Sequence, residues 1–205
     1  MEDDEAPPAD PLALIERERA NLVRDLTPDP RLMYWPWGFA WLIGFGLLFL
    51  RFGPDGRVFV DLPGWLPLTV LLLLLIAAGI TTGVAGARAS RQTAGPTSRQ
   101  GKMYGFAWSI AYTGFSILFA QYGGGVLPDD RLGLLWAGGM VALTGALHMA
   151  GAAIWNDRQL FFLGAWTSVI NMIGIVAGPG WHSLIVAVAG GGGMLAAGLL
   201  WRSRR

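Results

Sequence analysis

The sequence contains no cysteine, which excludes disulfide bonds, thiolate catalysis and cysteine-ligated metal sites. Charged residues are also scarce, at 14% of 205 residues, against about 25% in an average soluble domain. The net charge is only +1 and no basic face is long enough to bind nucleic acid. The first ten residues are acidic, the opposite of the basic start of a signal peptide. We therefore predict a chain that largely avoids water and has no nucleic-acid partner.

Long apolar stretches account for most of the chain. Six of them lack acidic residues and are long enough to cross a hydrocarbon core about 30 Å thick. We predict an all-α integral membrane protein with six transmembrane helices near residues 34–52, 65–87, 103–122, 133–155, 160–178 and 181–201. The chain then divides into a cytoplasmic segment, 1–33, and a transmembrane domain, 34–205.

The distribution of basic residues predicts the orientation of these spans. With a cytoplasmic N-terminus, twelve Lys and Arg residues lie inside and only Arg51, Arg57 and Arg131 lie outside. Cytoplasmic loops of membrane proteins carry such an excess of basic residues. We expect both termini to be cytoplasmic and the protein to be a multi-pass protein of the plasma membrane, in contact with the lipid bilayer.

Similar segments recur along the chain. GFAW occurs at 38–41 and again at 105–108, and LGAW follows at 163–166. Beyond each GFAW the match continues, since GFGLLFLRFG at 44–53 resembles GFSILFAQYG at 114–123. The order and membrane depth of the matches predict three parallel copies of a helical hairpin, related by an axis along the membrane normal. The hairpins would be 34–87, 103–155 and 160–201. The alternative is convergence caused by the biased composition of membrane helices.

The segment before the first span predicts an amphipathic helix. Asp10 and Pro11 suit its first turn, and Thr27-Pro28-Asp29-Pro30 ends it. Five apolar residues share one face at helical spacing: Leu12, Ile15, Leu22, Val23 and Leu26. The helix either rests in the lipid headgroup layer or docks a soluble cytoplasmic partner. The headgroup position is the favoured interpretation, and the mixed-sign polar face and the acidic tail before it add some support to docking.

Polar side chains within the spans gather on the fourth and fifth. His148 is the one ionisable side chain deep in a span, with Thr144 one helical turn away. A short turn brings the fifth span to a similar depth. The candidate substrate-contacting residues are Thr144, His148, Thr167, Ser168 and Asn171, with Ser109 and Thr113 as repeat-related candidates on the third span. Hydrogen bonding that only joins helices is the alternative.

The residues of the spans do not favour proton relay, metal binding or nucleophilic catalysis. No Asp, Glu, Lys or Arg lies in the middle of one, so a carboxylate proton relay is not available. A single His without a second ligand is a poor metal site, and Ser168 lacks the glycine-flanked turn of a nucleophile. We predict no metal, no cofactor and no enzymatic activity. His182 is expected at the outer interface as a solvated imidazole.

The last span contains four consecutive glycines, 190–193, within AGGGGMLAAG. Glycines allow close approach of helices, but four in a row put glycine on every side and weaken the helix. The segment is either a hinge for alternating access or a tight helix crossing.

Several segments together carry a resemblance. TPDPRLMYWPWG at 27–38, PDGRVFVDLPGWLP at 54–67, AGPGWHSL at 177–184 and the glycine run resemble uncharacterised small multipass membrane proteins of high-GC actinobacteria. Lys102 is the single lysine, as such a genome favours. The resemblance implies a bacterial cytoplasmic membrane protein of a group labelled putative transporter, and it implies no site residues.

The sequence therefore favours a transporter, which acts alone or as the membrane-spanning subunit of a transport complex. Its expected protein partners are another transporter subunit or further copies of the same chain, as a homo-oligomer. The substrate is not encoded in any motif. The alternative function is a non-transporting scaffold or regulatory subunit, whose N-terminal helix docks a soluble partner.

Overall fold

The computed structural model describes residues 12, 14, 15, 29–91 and 96–200. Five continuous helices are α1 (Pro30–Arg51), α2 (Leu66–Arg91), α3 (Pro96–Gly123), α4 (Asp129–Trp155) and α5 (Arg158–Ala177). The sixth, α6 (Trp181–Leu200), runs as α-helix to Ile185, as π-helix over Val186–Gly191, and as α-helix again over Gly192–Leu200. A short 3₁₀ turn, Pro54–Gly56, follows α1.

The prediction of an all-helical membrane protein is confirmed. Six helices of the described chain are long and apolar enough to cross a membrane, and each overlaps one predicted span. The predicted N-terminal helix lies outside the described residues, apart from three exposed positions in helical conformation: Leu12, Leu14 and Ile15. Residues Leu22, Val23 and Leu26 of its apolar face are among those that lie outside.

Local sequence sets the helix ends. The Asp29 side chain accepts a hydrogen bond from the Arg31 N–H at 2.9 Å, which caps the start of α1. Asn156, with φ 51°, ends α4 in the left-handed conformation that Asn tolerates. Asp157 Oδ1 then accepts from the N–H groups of Gln159 at 2.8 Å and Leu160 at 3.1 Å. Two residues thus suffice to turn the chain from α4 into an antiparallel α5.

The helices pack as a curved row. Helix α1 packs along α2 and α6, α6 also contacts α5, α5 packs along α4, and α4 contacts α3. The order across the bundle is therefore α2, α1, α6, α5, α4, α3. The two end helices, α2 and α3, are not among the pairs that pack extensively. The row forms an open ring with its gap between these two helices.

This order bears on the predicted repeat. Each proposed hairpin, α1–α2, α3–α4 and α5–α6, does consist of two helices in contact. Of the three contacts between successive hairpins, α4–α5 and α6–α1 are extensive, whereas α2–α3 is not. The threefold arrangement of the hairpins stays a prediction.

Glycines permit the closest helix contacts. A Cβ atom on Gly191 of α6 would lie 2.7 Å from the Gly38 carbonyl oxygen of α1. A Cβ on Gly164 of α5 would lie 2.7 Å from the Gly145 oxygen of α4. Neither separation is possible for a real side chain, so these crossings require glycine.

The four-glycine run lies where α6 crosses two helices, α1 and α5. Gly190 and Gly191 face α1, where Trp41 and Leu42 lie against them, and Gly193 faces Trp166 of α5. The tight-crossing interpretation thus explains why glycine occurs on more than one face. The buried centre of the bundle lies here, with Trp41, Phe45, Val186, Ala187 and Met194 among its members.

Candidate functional site

A large groove runs along the axis of the open ring, and we call it the central groove. It has a volume of 2280 Å³ and is lined by residues from all six helices. Pockets for small molecules commonly measure about 300–1,000 Å³, so this space is large for one ligand. At one end, the Arg51 end, it reaches Arg51, Asp129 and Gly178; at the other, the Asp157 end, it reaches Met33 and Asp157.

The two walls of the groove differ in chemistry. The α1–α2 wall is mostly apolar, with Trp41, Phe45 and Leu48 from α1 and Leu71, Leu72 and Leu75 from α2, and its polar side chains lie towards the two ends: Arg51, Tyr34 and Thr82. The α3–α4 wall carries most of the polar side chains within the membrane-spanning depth: Ser109, Tyr112, Ser116, Thr144 and His148. The groove is therefore amphipathic across its width.

A hydroxyl pair joins α3 to α4 on the polar wall. Thr144 Oγ1 donates to the Met140 carbonyl at 2.8 Å, as a helical threonine can. The Tyr112 hydroxyl then donates to Thr144 Oγ1, and it also lies 3.3 Å from the Met140 oxygen. Further along the same interface, the Tyr104 hydroxyl donates to the Leu147 carbonyl at 2.6 Å. These tyrosines supply the hydrogen bonds by which α3 is held to the bundle.

His148 stands beside this pair. Its Nδ1 lies 2.7 Å from the Thr144 carbonyl oxygen, and a carbonyl can only accept, so Nδ1 carries the proton. In the neutral ring, Nε2 then has a lone pair available to accept a hydrogen bond. The Trp108 ring meets the imidazole edge-on, with centroids 5.2 Å apart. The groove thus offers one fixed acceptor and several hydroxyl groups at the depth of Thr144 and His148.

Asn171 does not belong to that group. Its Nδ2 donates to the Gly138 carbonyl at 2.9 Å, and its Oδ1 accepts from His182 Nε2 at 2.8 Å. Both side chains are only 1% exposed. The expectation of a solvated His182 is therefore wrong, because α6 begins against α5 and His182 packs on Gly174. His182 Nδ1 is buried without a hydrogen-bond partner in the described part of the chain.

The seven candidate residues are consequently divided. Ser109, Thr144 and His148 line the central groove. Thr167 and Asn171 are buried among helices, and the Ser168 hydroxyl donates to the Gly164 carbonyl of its own helix at 2.9 Å. Thr113 is exposed on the outer side of α3 and is not part of the groove lining. The sequence predicted a similar depth for the five candidates on the fourth and fifth spans, but depth alone does not say which way a side chain points.

Two further groove residues, Tyr112 and Arg51, were not predicted from the sequence as site residues. Tyr112 lies three residues after Ser109 and one turn from Trp108, so the helical periodicity of α3 could have indicated it. Arg51 ends α1, lines the groove, and has a buried Nε without a hydrogen-bond partner in the described residues. Within that same part of the chain, no three His, Asp or Glu side chains are grouped to hold a metal ion.

Comparison of the chain with protein-family models, with curated proteins and with solved structures finds no match. The resemblance to small actinobacterial membrane proteins therefore stays a prediction.

Proposed function

We propose that this chain is a membrane transporter, acting alone or as the membrane-spanning subunit of a transport complex. The observation that carries the proposal is the central groove, which reaches both ends of the bundle and is lined by all six helices. A bundle serving only as an anchor or scaffold needs no such space, since membrane helices gain stability from close packing.

The position of the polar side chains supports the same proposal. Tyr112 and Thr144 lie near the middle of α3 and α4, where an unneeded polar group would be costly in lipid. Along that wall they form a continuous polar strip with Ser109 and His148. A substrate with hydrogen-bonding groups would find donors and acceptors at the depth where the membrane is otherwise apolar.

The membrane and orientation are part of the proposal. Basic residues cluster at the Asp157 end, where Arg88, Arg99, Lys102 and Arg158 lie, and this favours a cytoplasmic position for that end. The Arg51 end would then face outwards. We propose the bacterial plasma membrane as the location.

Water access to the groove tests the proposal, and the cysteine-free chain allows it without prior substitutions. We expect Ser109→Cys, Thr144→Cys and His148→Cys to react with a membrane-impermeant maleimide from at least one side of sealed vesicles. Thr167→Cys, at a position 1% exposed, and Ile110→Cys, at a position 70% exposed but outside the groove, should both stay unlabelled. Absence of labelling at all three groove positions would overturn the proposal.

A docking scaffold is the second candidate. Its support is the exposure of Leu12 and Ile15, at 70% and 62%, which leaves apolar surface on the N-terminal segment. Removal of residues 1–28 should then abolish co-purification of a soluble partner while the six-helix bundle stays folded. Co-purification that is unchanged by this truncation would contradict the scaffold function.

A further inference from the structure

We propose that the half of the central groove next to Arg51 binds one glycerophospholipid with a zwitterionic phosphoethanolamine headgroup. The lipid would enter sideways through the gap between α2 and α3. The phosphate binds Arg51, the ammonium group binds the carboxylates beside it, and one acyl chain lies along the α1–α2 wall. This ligand occupies the same groove as the proposed transport function, but its binding is a separate property with a separate test.

The charges at the Arg51 end match such a headgroup. The groove lining there includes the Arg51 and Arg131 guanidinium groups together with Asp55, Asp129 and Asp130. Arg51 Nε is buried without a hydrogen-bond partner in the described residues, and the guanidinium lies over the Phe52 ring, 5.3 Å from its centroid. The phosphate would therefore bind the terminal Nη groups. A guanidinium binds phosphate oxygens by paired, charge-assisted hydrogen bonds. With three carboxylates beside two guanidinium groups, this end offers cations for a phosphate and carboxylates that attract an ammonium group, as a zwitterionic headgroup requires.

The depth of the apolar wall matches one leaflet. From Arg51 to Trp41, α1 descends ten residues, or about 15 Å, which is half of a hydrocarbon core about 30 Å thick. Over this depth the groove is lined by Leu48, Phe45 and Trp41 of α1 and by Leu71 and Leu72 of α2. Ser116 of α3 lies beside this depth, whereas Thr144 and His148 lie nearer the Asp157 end, so an acyl chain along the α1–α2 wall stays above the Thr144 and His148 groups.

The open ring supplies the entrance. Helices α2 and α3 line the groove from opposite sides but do not pack extensively on each other. In a bilayer the gap between them faces lipid, and an apolar space open to lipid is filled by acyl chains because water is absent at that depth. A lipid can therefore reach Arg51 without crossing the polar strip.

Retention of lipid by the full-length protein tests this site. The protein would be reconstituted in vesicles with equal amounts of dioleoyl phosphatidylethanolamine and dioleoyl phosphatidylglycerol, solubilised gently and examined by native mass spectrometry. We expect one phosphatidylethanolamine per chain. Arg51→Gln should reduce its retention about tenfold, the loss expected for a charge-assisted pair. Arg57→Gln is the matched control, since Arg57 is exposed at the same end but outside the groove lining.

A second pair of variants tests the acyl-chain wall. Ile76→Trp places a bulky ring in the groove lining, whereas Leu73→Trp places it on the neighbouring surface outside that lining. Both positions are more than half exposed, at 58% and 61%, so both variants should fold. Only Ile76→Trp should lower lipid retention. Asp129→Asn combined with Asp130→Asn should reduce the preference for phosphatidylethanolamine over phosphatidylglycerol.

Three results would overturn the lipid site: equal retention of the two lipids by the unaltered chain, equal loss in the two arginine variants, or equal loss in the two tryptophan variants. Cysteine labelling in the groove without lipid retention would overturn the lipid site and leave transport standing. Lipid retention without cysteine labelling would support the lipid site and overturn the proposed transport function.

Discussion

The same four residues, GFAW, have opposite surroundings in α1 and α3. In α1, Gly38 lies against Gly191 and Leu195 of α6, and Trp41 is buried, with 4% of its surface exposed. In α3, Gly105 has no atom near the place of a Cβ, and Trp108 is partly exposed and lines the groove. Of the apolar stretch of each helix, 28% is buried in α1 and 6% in α3.

The difference teaches that a repeated sequence does not imply a repeated environment. Helix α1 lies inside the row, between α2 and α6, whereas α3 lies at its end and contacts only α4 extensively. Glycine and tryptophan therefore close a helix crossing in α1 but border a groove and lipid in α3. The two GFAW segments are therefore enclosed to different extents, and the less enclosed helix, α3, borders the gap in the ring.

Truncation of Trp41 and of Trp108 should give the largest difference in stability between α1 and α3. Trp41→Ala removes a buried ring that packs against Gly190 and Phe45, and we expect it to cost about 4 kcal/mol of stability. Trp108→Ala removes a partly exposed ring at the groove and should cost about 1 kcal/mol. Thermal unfolding of the purified variants in detergent measures both. Equal costs would show that α3 is packed as firmly as α1.

Enlargement of the two glycines is the next test. Gly38→Leu forces a side chain into Leu195 and the Gly191 carbonyl, at 2.9 and 3.0 Å from its Cβ, and should destabilise the fold by about 3 kcal/mol. Gly105→Leu meets open space and should be neutral or slightly stabilising, because leucine favours helix more than glycine does. Monodispersity and melting temperature distinguish the two; a destabilised Gly105→Leu would mean that another surface covers α3.

The Asn171–His182 pair lies on the packed side of the molecule. Asn171→Leu leaves the Gly138 carbonyl and His182 Nε2–H without their partner in a buried site, at a cost of about 2 kcal/mol. Ser168→Ala on the same helix loses only a bond to its own backbone and should change stability much less. Denaturation in mixed micelles gives the two values, and similar losses would contradict a special role for the pair.

Removal of the Tyr112 hydroxyl should have the smallest effect on stability, and that effect should be confined to α3. Tyr112→Phe removes the hydrogen bond to Thr144 and should weaken the attachment of α3 by about 1 kcal/mol, the value of a typical interhelical bond. Hydrogen exchange should rise in α3 and remain unchanged in α1. Tyr122→Phe, at an exposed position of the same helix, is the control. Faster exchange throughout the bundle would show that α3 is not a separate, weakly held element.

Much of the fold could be predicted because length and hydropathy define membrane spans almost directly. The predicted second span, 65–87, became Leu66–Arg88, and the short turn at Asn156 and Asp157 follows from residues that favour a helix end and a helix start. The order of the helices could not be predicted. Lipid-facing and helix-facing positions are both apolar in a membrane protein, so no hydropathy pattern distinguishes the exposed α3 from the enclosed α1.

The candidate site could be predicted in part for a related reason. Polar residues within a span are rare, which drew attention to Thr144 and His148, and both do line the groove. Sequence cannot tell a groove residue from one that joins helices, and Asn171 is of the second kind. Its partner His182 was assigned to the interface because it lies at the start of a span, although the tight turn before it, with Gly178 and Gly180 at positive φ, folds it inwards.

The width of the gap between α2 and α3 is limited at one end by the short connection between the two helices. The chain passes from Arg91 to Pro96 through four residues, which cannot extend beyond about 18 Å, so the Asp157 ends of the two helices stay near each other. No such link exists at the Arg51 end, where α2 begins after a loop from α1 and α3 ends before a loop to α4. Any widening of the gap is therefore wedge-shaped, and the two leaflets of the membrane have unequal access to the interior of this protein.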